Sequence, residues 1–122
     1  MTERFPDLEI YLLKPERSAV HHWLTSTIGA LTSIKESDAA VHWQHDGLDI
    51  IFTENAEKNF SSLWFKQNPT DWPDDLALGR AAYEALGVEV RCSDSGWEEA
   101  EGESSEGGWI KINARGERPF SW

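Results

Sequence analysis

Apolar and polar positions recur along this chain with two periods, and the switches between them mark out its elements. In Leu8–Lys14 the series Leu8, Ile10, Leu12 falls on one face of a strand and Glu9, Tyr11, Leu13 on the other. That period of two fits a strand buried on one side and partly covered on the second, ended by Pro15. From Glu16 to Ile28 the spacing turns helical: Ala19, Val20, Trp23, Leu24 and Ile28 share a stripe, and Gly29 supplies the stop. This predicts a helix packed by one face on a sheet. Leu31–Lys35 is an additional candidate strand.

The strongest local signal is Ala40–Thr53, two alternating runs joined by Asp46-Gly47. Asp-Gly favours a two-residue type I′ turn, because both central residues need positive φ, and such a turn fixes the register. Counting outward pairs Trp43 with Ile50 and Val41 with Phe52 on a core face, leaving His42, Gln44, Asp49 and Ile51 on the other. Phe60–Lys66 adds a further antiparallel strand after a polar turn at Asn55–Asn59. A four-residue loop would put Leu63 and Phe65 on the core face and Trp64 opposite, near Asp49; a five-residue loop would swap the faces, and the pattern leaves both open.

Asp71-Trp72-Pro73-Asp74 then opens a second helix, with Asp71 as N-cap, Pro73 in the first turn and Asp74 and Asp75 at the positive end of the dipole. Its buried stripe is Leu78, Ala81, Ala82, part of Tyr83 and Leu86, and Gly87 ends it. Strands follow at Val88–Cys92, Trp109–Ala114 and Pro119–Trp122, the last two joined by a turn at Arg115-Gly116. The fold class expected is α+β: a single antiparallel or mixed sheet with two helices on one face, a ferredoxin-like or related sandwich, with a C-terminal hairpin interrupted by an acidic loop.

Composition adds that one core is expected over residues 1–122, since two would each be marginal at this length. The formal net charge is −11, and residues 94–108 hold six acids and no base, so sixteen acids against eleven bases leave −5 elsewhere. A Gly/Ser/Glu stretch of this kind has too little apolar surface to order itself and reads as a mobile acidic loop. Excess acid repels nucleic acid and anionic membrane, and no apolar run has the length of a membrane span. The N-terminal stretch lacks a secretory pattern, and Cys92, the single cysteine, permits no internal disulfide, so a cytosolic protein is expected.

Candidate chemistry is sparse. His42 and His45 are three apart and so face opposite sides of a strand, whereas two metal ligands from one strand sit two apart. His21 and His22 diverge by about 100° on a helix. The chain has no Gly-x-Ser-x-Gly elbow, no phosphate-cradling glycine loop and no calcium-loop spacing, so no catalytic residue, metal or cofactor is assigned. What remains is a recognition surface: Trp64, if outward, with His42, Ile51 and Asp49, and Trp97 with Glu98, Glu99 and Glu101 in the acidic stretch. Aromatic anchors among acids suit a basic protein partner, and toxin-neutralising immunity proteins are one class similar to this chain in size and charge. The alternative expectation is a small-ligand domain or enzyme with a pocket between sheet and helix, walled by His42, His45 or Tyr11.

Overall fold

The computed structural model describes residues 7–57, 59–68, 70–93 and 109–120. They form one antiparallel sheet of eight strands with two helices. In chain order these are β1 (Leu8–Leu13), α1 (Arg17–Thr27), β2 (Thr32–Glu36), β3 (Ala40–His45), β4 (Leu48–Glu57), β5 (Phe60–Phe65), α2 (Asp75–Leu86), β6 (Val90–Ser93), β7 (Trp109–Asn113) and β8 (Gly116–Phe120). Across the sheet the order is β2-β3-β4-β5-β1-β6-β7-β8. The first strand of the sequence is therefore central, with α1 and α2 each following one of the two adjoining strands β1 and β5.

The alternation in β1 is the reason it can hold that place. Leu8, Ile10 and Leu12 are fully buried, and Glu9, Tyr11 and Leu13 are half-buried on the opposite face. The same parity runs through β3, β4 and β5, so Val41, Trp43, Ile50, Phe52, Leu63 and Phe65 join one cluster with Val20, Trp23 and Leu24 of α1 and Leu78 and Ala82 of α2. Both helices thus cover a single face, and the other carries the half-exposed set. Trp72, in the β5–α2 connection, packs its ring 5.9 Å from Trp23 and 6.1 Å from Phe65, closing the core below α1.

The β3–β4 hairpin has the anticipated register, Trp43 opposite Ile50 and Val41 opposite Phe52, around Asp46 (φ 52°) and Gly47 (φ 86°). Its tip is tied to the end of α1: His45 Nδ1 donates to Ala30 O at 2.8 Å, and Gly29 lies so near that a Cβ there would meet His45 Cε1 at 2.7 Å. The sequence expectation of a polar turn over Asn55–Asn59 is corrected, since β4 continues to Glu57. The register shifts between Thr53 and Glu57, with Asn55 at φ 53° donating its N–H to Ser61 Oγ at 3.4 Å. Beyond that shift Phe52 pairs with Leu63 and Ile51 with Trp64.

Two further corrections concern α2. Its N-cap is Asp74, whose side chain accepts from Ala77 N at 2.9 Å, and Asp71 and Pro73 precede the helix. Trp72 decides this: its carbonyl accepts from Asn68 Nδ2 at 2.9 Å and its ring is committed to the core, so the chain cannot turn helical until it has passed Trp72. Gly79, absent from the predicted stripe, is buried where α2 crosses β6 and β7. The C-terminal stop holds as expected, with Gly87 at φ 71° and its N–H on Tyr83 O.

Candidate functional site

An antiparallel sheet with helices on one side leaves its second face to solvent unless something else covers it. Cross-strand register sets the composition of that face here. One row runs His42, Ile51, Trp64, Glu9 across β3, β4, β5 and β1, and the next runs Thr53, Ser62, Tyr11, Arg91, Lys111, Arg118 from β4 to β8. Of the expected site residues, His42, Asp49 and Trp64 therefore share one face. Trp97, Glu98, Glu99 and Glu101, and the acidic segment 94–108 as a whole, lie outside the described residues.

Asp49 sits at the mouth of the β3–β4 hairpin and its oxygens are already engaged. His42 Nε2 lies 2.8 Å and Gln44 Nε2 3.0 Å from Oδ1, and Gln67 Nε2 lies 3.1 Å from Oδ2. Gln67 also accepts from Asp49 N at 2.7 Å, which clamps the strand end from β5's far side. The hydrogen bond from His42, then those from Gln67 and Gln44, hold the Asp49 carboxyl down at about 2. An ionised carboxylate can only accept, so His42 Nε2 carries the proton. Asp49 and His42 are consequently a structural tie on the open face, with their hydrogen-bonding capacity turned toward each other.

Trp64 is placed differently. It is half-buried, flanked by Ile51 on β4 and Glu9 on β1, and its indole Nε1–H donates to Asp7 Oδ2 at 2.9 Å. Lys66 Nζ lies 5.6 Å from the ring centroid, within the range of a cation–π contact. Glu9 accepts from Ser62 Oγ at 3.0 Å. Asp7 at the indole N–H and Glu9 opposite Trp64 on β1 thus stand beside Lys66 on this part of the face.

The β6–β8 half of the face has the opposite sign, with Arg91, Lys111 and Arg118. Arg91 pairs with Glu89 at 3.0 Å and lies 4.3 Å from the Phe60 ring centroid. Burial raises the Glu89 carboxyl, but hydrogen bonds from Asn113 and Arg91 and the charges of Arg91 and Lys111 outweigh it and hold it low. Tyr11, edge-on to Trp109 at 5.9 Å, has its phenol raised by burial, then by the charges of Glu9 and Glu57.

Elsewhere, Lys14, Pro15, Glu16, Arg17, Ser18, Glu54, Asn55 and Ser61 line an open groove of about 630 Å³. A smaller, more enclosed one of about 310 Å³ lies between the helices at Ala19, His22, Trp23, Ser26, Ala85 and Leu86. Neither includes His42, His45 or Tyr11. Arg17, in the first, is already held by Glu54 at 3.0 Å and Glu36 at 3.3 Å. Among the described residues no three of His, Cys, Asp and Glu gather at metal-binding geometry. Cys92 is fully buried, and burial, with Asp75 and Asp74 nearby, pushes its thiol up to about 12, a thiol rather than a nucleophilic thiolate.

Sequence reasoning missed Asp7, Lys66 and Gln67. Lys66 was legible in principle, because Trp64 and Lys66 are two apart at a strand end and share a face. Asp7 meets Trp64 across 57 positions and carried no such signal. No family model matches this chain, and neither the curated proteins nor the solved structures include one significantly similar to it.

Proposed function

We propose that this chain is a small cytosolic binding protein without catalysis, and that the open sheet face around Trp64 recognises a basic protein partner. The observation that carries the reading is the half-exposed Trp64 beside Ile51, with Asp7, Glu9 and Asp49 around it, on a face that neither helix covers. An aromatic anchor within a ring of opposite charge supplies contact area, and the acids supply steering. The basic β6–β8 half directs such a partner toward β3, β4, β5 and β1. The sheet order β4-β5-β1-β6, with a helix after β1 and another after β5, supports viewing the body as a ferredoxin-like sandwich widened at both edges. An immunity-like role, neutralising a basic protein, belongs to this reading.

The test is selection of random dodecapeptides displayed on phage against the whole protein. Lys- and Arg-rich sequences should be enriched, their affinity should fall with added salt, and Trp64→Ala should weaken them in a protein that loses some stability but still unfolds in one cooperative transition. Enrichment of acidic or purely apolar sequences, or affinity indifferent to Trp64→Ala, would remove the basis of the proposal.

A further inference from the structure

The Trp64 ring already carries a cation, and that cation comes from the chain itself. We infer that Lys66 is an internal placeholder on Trp64, occupying the seat that a lysine side chain of the partner takes when it binds. The inference rests on the open-face reading above and names the group that the face receives.

The backbone of Lys66 lies one residue beyond β5, where its N–H still bonds Asp49 O at 2.9 Å, so the root of the side chain is fixed beside the tie made by Asp49, His42 and Gln67. From that root the stem reaches back over Trp64, two residues earlier on the same face, and the ammonium rests 5.6 Å from the ring centroid. Among the described residues Lys66 has no ion pair, although Asp49 is its cross-strand neighbour, because the oxygens of Asp49 are filled by His42, Gln44 and Gln67. The ring, by contrast, is held in place independently of Lys66, through the bond from Nε1–H to Asp7 and through Ile51. A rigid aromatic acceptor of cations is therefore covered by an exposed, flexible one-residue occupant that can swing away about its four-carbon stem.

The geometry also says why a lysine fits. The indole face accepts an ammonium, Glu9 on the β1 side of the ring accepts from Ser62 Oγ, and Asp7 at its edge accepts from the indole N–H, so each of these carboxylates already has one oxygen engaged. A partner lysine arriving over Trp64 must displace Lys66, so the apparent affinity of the free face is reduced by the fraction of time that Lys66 is seated. Lys66 then sets a threshold: isolated cations compete poorly, and a partner with several basic residues to engage Asp7 and Glu9 as well competes best.

The experiment compares the wild-type protein with Lys66→Met, which keeps the stem and removes the ammonium. Lys35→Met, which makes the same change of net charge on the same face but three strands from Trp64, opposite His42 on edge strand β2, is the control. The probe is a blocked tri-lysine peptide, followed by calorimetry and by the Trp64 indole N–H resonance, with each variant first shown to unfold at the wild-type midpoint. Lys66→Met should bind about two- to five-fold tighter than Lys35→Met, the gain expected from freeing one exposed cation–π seat. The Trp64 resonance should move on binding in both. If tri-lysine binds with a shift at Trp64 but Lys66→Met is no tighter than Lys35→Met, the placeholder is refuted and the basic-partner reading stands. Weaker binding by Lys66→Met makes Lys66 a contact in its own right and overturns the inference. Failure of tri-lysine to bind any of the three proteins overturns both.

Discussion

Replacing Gly79 by alanine sets two effects of known size against each other. Glycine in a helix interior costs about 1 kcal/mol relative to alanine, so on propensity alone Gly79→Ala should stabilise α2 by that amount. The fold opposes this, because a Cβ at Gly79 would lie 3.2 Å from Ile112 Cδ1, 3.3 Å from Val90 Cγ1 and 3.4 Å from Cys92 Sγ. Val90 and Cys92 are fully buried and Ile112 nearly so, and Val90 is β-branched with a stiff χ1, so the pocket has little room to yield. Overpacking of this kind costs about 1–3 kcal/mol, and the net expectation is a loss of about 1 kcal/mol, or roughly 3–6 °C in Tm for a domain of this size. Urea unfolding followed by tryptophan fluorescence measures it, with an unchanged m value showing that the unfolded state is not involved. Ile112→Val removes the nearest contact and alone costs about 0.5–1.5 kcal/mol. Combined with Gly79→Ala it should cost at least about 0.5 kcal/mol less than the sum of the two single changes. A Gly79→Ala protein more stable than wild type, or a strictly additive pair, would mean that α2 does not seat on β6 and β7 through Gly79.

The two aspartates before α2 should separate cleanly: Asp74→Ala loses about 1 kcal/mol by stripping the cap on Ala77 N, whereas Asp71→Ala stays within about 0.5 kcal/mol of wild type, and equal losses in chemical denaturation would contradict the cap. For Asp49 the folded-state pKa of about 2 lies below the ordinary 3.8, so its stabilisation is complete above that ordinary value and is lost as pH falls from 3.8 toward 2. Asp49→Asn should flatten the acid limb of stability in this window, and a carboxyl titration by NMR with a midpoint near 3.8 would show that the bonds from His42, Gln67 and Gln44 do not form in solution.

Period and turn chemistry determined a good deal of this protein from its sequence alone. The alternation of β1 and the Asp46-Gly47 turn specified local register, since a period of two and a turn with two positive φ values each admit one solution. Gly87 likewise marked the end of α2, because few other residues adopt φ 71° without strain. The sequence pointed to Asp71 as the cap of α2, and Asp74 takes that role because Trp72 docks against Trp23 and Phe65. The face taken by Trp64 hinged on the irregular pairing between Thr53 and Glu57, which no local pattern encodes. The candidate site followed the same division: the sequence put His42 and Asp49 on one face and joined Trp64 to them under only one of two loop lengths. Only tertiary structure turned Asp49 inward onto His42, Gln44 and Gln67 and brought Asp7 to the indole, because a hydrogen bond between residues 57 positions apart depends on where strands meet and leaves no periodic trace in the chain.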